Sequence, residues 1–353
     1  MSAGRAPAGE DAAAGAEREA LAEAAAAGIH RIALPTPFLV GRVNCYLIED
    51  EPLTLVDTGP NSGKSLDELE RALSDRGHRV EDIGLIVITH QHVDHLGLLE
   101  ILARRSGAEV AAWHQLGPYL RDFSTSAAAD DEFSTQIMLR HGVPPELVTA
   151  LSGVAAAFRG FGSSGPVTTA VDDGDELILR DRTLRARHRP GHSPSDTVFC
   201  DERRGILIAG DHLLAHISSN PLISRPLGAP AEHAGAGGGD RPHALLEYIA
   251  SMRATREMPV RLVLGGHGPP VRDHARLIDD RFRMHERRAG KLRGLLESGP
   301  ATAYELATRM WGNVAVTQAF LTISEVLGHL DLLIADGAVR EDVAGDVTRF
   351  AAA

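Results

Sequence analysis

Hydrophobic positions change their spacing several times along the chain. Residues 1–28 are mainly Ala, Gly and Glu with no apolar stripe, which predicts a disordered leader with a helical turn or two over 17–27. From Ile29 onward, short apolar runs alternate with turn residues. Residues 44–48 and 53–56 read as strands around the turn Glu49-Asp50-Glu51-Pro52. Residues 85–89, apolar up to Thr89, and 109–113 read as two more. Leu66, Leu69 and Leu73 set a helical spacing over 64–76 that stops at Gly77, and 96–105 reads as another helix. Strand and helix therefore alternate through the first third of the chain.

Residues 114–166 break that rhythm. Weak helical spacing at 119–123, 133–140, 145–151 and 154–161, with polar or Gly-rich joints, predicts a helical insertion. Strands resume at 176–179, 183–188, 197–200 and 205–209. A Gly-rich loop over 228–240 leads into a helix over 242–257, with Pro242 in its first turn, and a strand over 261–264 that ends at Gly265-Gly266-His267-Gly268. A long helix over about 271–297 follows. Beyond it come a short helix over 302–310, a longer one over 318–336 and a hairpin from 339–341 and 347–350. Helix, helix, hairpin is the layout of a winged helix. The expected organisation is a leader over 1–28, an α/β domain over 29–272 carrying the insertion 114–166, and a linker helix with a winged-helix-like unit over 273–353.

Charge and cysteine usage narrow the partners. Across 353 residues, 36 Lys and Arg against 48 Asp and Glu leave a net charge of −12, a poor match to nucleic acid or an anionic membrane. Cys45 and Cys200 both lie in apolar stretches and read as buried free thiols in a reducing compartment. The sequence has no apolar run near the length of a membrane span and no signal-peptide pattern at its start, so a cytoplasmic location without a membrane partner is expected.

The densest chemistry is Thr89-His90-Gln91-His92-Val93-Asp94-His95, directly after a buried strand. At the mouth of a strand, His90 and His92 point to the same side. Asp94 and His95 fall in the turn into the next helix and reach a second position nearby. Imidazoles and a carboxylate suit zinc. His192 in Arg189-Pro190-Gly191-His192-Ser193, Asp211 after Gly210, and His267 after two glycines each stand at a strand end beside glycine. Glycine lets the backbone turn sharply and approach an ion closely.

In this order, His90-x-His92-x-Asp94-His95, His192, Asp211 and His267 resemble the metallo-β-lactamase fold superfamily over about residues 30–272. Asp57 in Val56-Asp57-Thr58-Gly59 matches the position where that family places a carboxylate behind the metal site. The ligand set is similar to that of the glyoxalase II-like branch. Ala303-Tyr304-Glu305-Leu306-Ala307 and the stretch 326–340 resemble the C-terminal domain of the β-lactamase-like protein 2 group. The resemblance implies an α/β, four-layer αβ/βα sandwich with a small C-terminal winged-helix domain. It implies two Zn(2+) per chain, with Fe or Mn as alternatives: one ion on His90, His92 and His192, the other on Asp94, His95 and His267, bridged by Asp211. A bridging hydroxide would then attack an electrophilic carbonyl, with Asp94 as the catalytic residue that orients it and carries a proton. The chain departs from the family at Asp196, where many relatives carry a second histidine.

His212 and His216, just after Asp211, are candidates for lining the substrate pocket. The insertion, with Tyr119, Phe123, Phe133, Ile137, Met138, Phe158 and Phe161, is an apolar roof for an acyl group or a packed decoration. The expected function is hydrolysis of a thioester or ester of a small-molecule substrate. The alternative is a metal-dependent endoribonuclease on single-stranded RNA, favoured by the basic run Arg272, Arg276, Arg281, Arg283, Arg287, Arg288, Lys291 and Arg293. DNA is not an expected partner, because Trp311 to Val339 carries no Lys or Arg while phosphate neutralisation supplies most such affinity. The C-terminal unit is read instead as a packing, homodimerisation or substrate-covering element.

Overall fold

The computed structural model describes residues 8–228 and 241–353. All but the first residue of the expected Gly-rich loop 228–240 lies outside the described residues. In chain order the first elements are α1 (Ala8–Ala26), β1 (Ile29–Leu34), β2 (Val43–Ile48), β3 (Thr54–Val56), α2 (Gly63–Ser74), β4 (Leu85–Val87), α3 (Val93–Leu96), α4 (Leu99–Ser106) and β5 (Glu109–Trp113). Then come α5 (Leu116–Arg121), α6 (Phe123–Arg140), α7 (Pro145–Phe158), β6 (Thr169–Val171), β7 (Glu176–Ile178), β8 (Thr183–His188), β9 (Thr197–Asp201), β10 (Ile206–Gly210), α8 (Ala244–Arg256) and β11 (Leu262–Gly265). The chain closes with α9 (His274–Leu296), α10 (Ala303–Trp311), α11 (Val314–Thr317), α12 (Ala319–Ala335) and a hairpin of β12 (Val339–Ala344) and β13 (Val347–Ala352).

The expectation of a disordered leader is corrected. Residues 8–26 form a helix because Ala and Glu favour one intrinsically. One face of it docks: Ala20 and Ala24, four residues apart, are buried, Glu17 takes a 2.7 Å hydrogen bond from Arg31, and Glu23 one of 2.6 Å from Arg272.

Period-two alternation with both faces apolar builds a sandwich. Along β2, Val43, Cys45 and Leu47 join one core while Tyr46 and Ile48 join another. Along β10, Ile206 and Ile208 face that second core while Leu207 and Ala209 face a third. The second core therefore lies between two sheets, and the first and third lie under helices on the outer faces. The sheets run β1-β2-β3-β4-β5-β6 and β11-β10-β9-β8-β7, giving the four-layer αβ/βα arrangement. Strands β3 to β6 are parallel, so β3 and β4 end at the same edge. In the second sheet β8 and β9, and β9 and β10, are antiparallel, while β10 and β11 are parallel; β8, β10 and β11 therefore also end together. A Val43–His267 bridge and a 3.0 Å Thr197 N–H to Thr89 carbonyl bond join the sheets at the mouth.

The C-terminal elements follow the expected helix, helix, hairpin order, with the short α11 added. They do not pack alone. Phe133, Ile137 and Met138 of α6 and Val148 of α7 share one core with Leu292, Leu306, Ile323, Val326, Leu330 and Phe350. The insertion and the C-terminal region are thus one packed body. Helix α12 is its axis, buried along most of its length against α8, α9, α10 and α6. Gly328 sits where a Cβ would come 2.7 Å from Leu245 of α8.

Candidate metal centre

Every ligand-type residue singled out at a strand end reaches one mouth. The β4 loop brings His90 and His92, α3 brings Asp94 and His95, the turn after β8 brings His192, and the ends of β10 and β11 bring Asp211 and His267. Their ligand atoms fall into overlapping sets: His90, His92 and His192; His90, His95 and Asp211; Asp94, His95 and His267. All are buried except His92, which is half-buried.

Hydrogen bonding on the outer side of each ring fixes the tautomer. Asp57 Oδ2 accepts from Thr89 Oγ1 at 2.8 Å, so the Thr89 oxygen is left to accept from His90 Nδ1 at 3.0 Å. His95 Nδ1 donates to Asp57 Oδ2 at 2.8 Å. His192 Nδ1 donates to the Asn220 carbonyl at 3.0 Å, and His267 Nδ1 to the Arg42 carbonyl at 2.9 Å. Each of these four rings therefore turns an Nε2 lone pair inward.

The inward atoms fit a cation better than one another. His90 Nε2 and His192 Nε2 each lie 3.0 Å from His92 Nδ1, although the two outer rings have no proton there to donate. His95 Nε2 and Asp211 Oδ1, 3.4 Å apart, are buried without a hydrogen-bond partner. His267 Nε2 lies 3.4 Å from Asp94 Oδ2 and 3.5 Å from Asp211 Oδ2, and His192 Nε2 lies 3.6 Å from Asp211 Oδ2. Lone pairs and carboxylates converging at such distances in a buried site are the donor set of divalent metal. Asp211 lies between the sets: Oδ1 faces His95, while Oδ2 faces both His192 and His267. The backbone makes room: at Gly266 a Cβ would stand 2.3 Å from Asp211 Oδ1 and 2.7 Å from His95 Cε1.

Electrostatics divides the site. Burial first, then the charge of His95, holds His90 well below its ordinary value. Burial and then His192 push His92 down to about 3. Both rings stay neutral, the form in which an imidazole can bind a metal. Around His95 burial pulls the other way, but Asp211, Asp57 and Asp94 outweigh it and hold the ring well above its ordinary value, marking a point that favours positive charge. Burial likewise opposes ionisation of Asp211, yet His95 and His267 keep its carboxyl well below the usual range.

One expectation about the pocket changes. His212 is buried in the core rather than facing open space, where its Nε2 meets Thr255 Oγ1 at 2.8 Å and its carbonyl accepts from Tyr248. His216 is exposed on the loop after Asp211. Asp196 holds the His192 turn, accepting from Ser193 N–H at 2.9 Å and Ser193 Oγ at 2.8 Å. Sequence reasoning did not single out Asn220 or Arg42, which act through backbone carbonyls. Nor did it single out Tyr46, whose hydroxyl donates 2.7 Å to the Gly265 carbonyl and steadies the turn bearing His267.

Comparisons with known proteins agree with this geometry. The profile of the metallo-beta-lactamase superfamily matches residues 39–267. The chain is 30% identical over 319 residues to the probable metallo-hydrolase YqjP of Bacillus subtilis, covering 90% of this chain and 96% of that protein. Over 178 residues it is 32% identical to the human acyl-coenzyme A thioesterase MBLAC2, covering 48% of this chain and 58% of that one. A metallo-beta-lactamase family protein from Thermus thermophilus superposes with a TM-score of 0.74 at 26% identity, covering 92% of this chain and 99% of that one. With its ligand residues gathered at the shared edge of the two sheets, the chain belongs to the metallo-β-lactamase superfamily and is a metal-dependent hydrolase.

Proposed function

We propose that the chain hydrolyses thioesters of small acyl compounds, such as acyl-coenzyme A, at a dinuclear zinc site held by His90, His92, Asp94, His95, His192, Asp211 and His267. The observation that carries the reading is the convergence of inward lone pairs and carboxylates on two adjoining positions. Divalent ions bound there would supply Lewis acidity toward the carbonyl oxygen and lower the pKa of an attacking water. The chain's own residues do the rest. Asp57 and Thr89 keep the protons of His95 and His90 on Nδ1, away from the reacting side. Burial works against the Asp94 carboxylate, but His95 and His267 keep it below its ordinary range, so it stays ionised to orient the water and take its proton.

Thioester chemistry is favoured by the leaving group. Asp196, the carboxylate within the His192 turn, is engaged in holding that turn, and a thiolate departs without a proton donor. An apolar surface lies close by. Phe38 from the β1–β2 loop meets Phe158 and Phe161 at centroid distances of 5.1 and 6.3 Å, beside fully exposed Leu39. The Phe161 carbonyl lies against Gly97, two residues after His95. The thioesterase activity named for the human relative points the same way.

The ligand set and the helix, helix, hairpin order support placing the chain in the glyoxalase II-like branch with a C-terminal winged helix. The RNA alternative loses support from α9, where Arg281, Arg283 and Arg288 bond to Leu214, Asp280 and Glu325. Within the buried α12, Asp331 pairs with Arg241. The test is thiol release from acyl-coenzyme A thioesters of graded chain length, with His92→Ala as the blank. Release that needs His92 supports the reading. No release above the blank from protein carrying two ions would overturn it and leave single-stranded RNA as the next substrate to assay.

A further inference from the structure

The outer-side partners of the histidines differ in where they come from. His90 and His95 are set by Thr89 and Asp57, and His267 by Arg42, all within the sandwich. The partner of His192 is the Asn220 carbonyl, on the loop that leaves Asp211. That loop is tied to the C-terminal body at three levels. Arg281 of α9 donates through Nη2 to the carbonyls of Leu214, Ala215 and Ile217 at 3.1, 3.3 and 3.0 Å. Asn220 Nδ2 donates to the Leu321 carbonyl of α12 at 2.9 Å. Ile223 N–H donates to Ser324 Oγ at 3.3 Å, and its side chain is fully buried in the core shared by the insertion and the C-terminal helices. At its start, Ser219 Oγ bonds back to the Asp211 carbonyl.

We infer that the C-terminal body is a positioning element of the metal centre, and that Arg281 and Asn220 are positioning residues holding His192 in register through the 212–224 loop. A side-chain change at Asn220 leaves its carbonyl in the chain but removes the tether that aims it. A change at Arg281 releases three carbonyls of that loop at once. In both, the His192 ring loses the fixed acceptor that keeps Nε2 directed inward, while the ligands of the other position keep theirs. Partners of this kind are worth about 10–100-fold in metal affinity. The inference rests on the metal reading and not on the thioester, so its test uses no substrate.

The experiment titrates stripped protein with Co(2+) and Zn(2+) against a chromophoric chelator and records the visible Co(2+) spectrum, for wild type, Arg281→Ala, Arg281→Lys, Asn220→Ala and His192→Ala. His192→Ala defines the signature of the lost position. Arg281→Ala and Asn220→Ala are expected to weaken one of the two ions by about tenfold or more, with the spectral change of His192→Ala, and to leave the other ion unchanged. Arg281→Lys, which restores a cationic donor nitrogen, is expected to recover part of the loss. Wild-type affinity for both ions in folded Asn220→Ala would overturn the inference even if Arg281→Ala failed to fold, as would equal weakening of both ions in Arg281→Ala with no recovery by lysine.

Discussion

Asp57 Oδ2 accepts a 2.8 Å hydrogen bond from His95 Nδ1, and the same oxygen accepts from Thr89 Oγ1, which in turn receives His90 Nδ1–H. One carboxylate therefore sets the tautomer of two histidines, one from each of the two proposed metal positions. It does so from a left-handed backbone conformation, φ 59°, which a non-glycine residue adopts at a cost. Strain kept at a site is justified by what the residue does there. Asp57→Ala is expected to weaken both ions by about 10–100-fold and, by leaving the buried Thr89 N–H without an acceptor, to cost about 1–3 kcal/mol. Metal competition and denaturant unfolding of the stripped protein separate the two effects. Wild-type affinity in a folded variant would remove Asp57 from the centre.

The Arg241–Asp331 pair tests how the C-terminal body is attached. Arg241, just ahead of α8, meets Asp331 in the middle of α12 through both terminal nitrogens, one at 2.6 Å, and both side chains are nearly inaccessible. His243 adds a 3.1 Å contact to the same carboxylate. Arg241→Met would strand a buried carboxylate, at an expected cost of about 3–5 kcal/mol in urea unfolding. Adding Asp331→Leu should return most of it, because the charge needing a partner is then gone. A single variant within about 1 kcal/mol of wild type would mean the pair is better solvated than its burial implies.

The site was legible in the sequence to the extent that its function depends on side-chain type. His90, His92, Asp94 and His95 lie within one loop, and His192, Asp211 and His267 follow strand ends marked by glycine, so chemistry and spacing suffice to find them. What was missed lies in other signals. Asn220 and Arg42 act through carbonyls, which every residue has. Residues 8–26 lack an apolar stripe because the docking face is made of alanines, whose helix preference shows in propensity and not in the spacing of large apolar residues. Strand β6, three residues long, is too short to show a period. The joint core of the insertion and the C-terminal helices is a long-range packing relation between segments each only weakly amphipathic. His212 was misplaced because adjacency to Asp211 in sequence does not set the direction of the next side chain. Gly210, at φ 48°, ends the strand alternation there.

The aromatic group at the rim carries a prediction about chain length. Phe158 is half-buried and packs against Phe38 and Phe161, whose backbone carbonyl lies against Gly97 just after α3. Phe158→Ala should raise KM for long-chain acyl thioesters about tenfold and leave the acetyl thioester near wild type, since a lost apolar contact acts only on a substrate long enough to make it. A uniform fall in kcat across the series would instead mean that the ring supports α3 and the ligands it bears.

Acid stability follows from histidines outside the centre. Burial first, then Arg241, pushes His141 down to about 3, and burial and then His329 do the same for His285. Both rings are neutral when folded. In the unfolded chain each takes a proton below about pH 6.5. Between about pH 6.5 and about 3 the unfolded state therefore binds more protons, so the stabilisation is full above about pH 6.5 and is lost as pH falls through that window. Each ring adds a slope of up to about 1.4 kcal/mol per pH unit. His141 is the cleaner test: its Nδ1 is buried without a partner, and its ring stacks on Phe350 at 6.0 Å. His141→Phe keeps the stack and removes the titration. Its stability should fall less steeply than wild type from about pH 6.5 to about 4.5, with the two curves parallel above about pH 7. Loss of metal at low pH affects both proteins alike and cancels in the difference. Parallel curves across the whole range would mean that His141 is already protonated or already solvated in the folded chain.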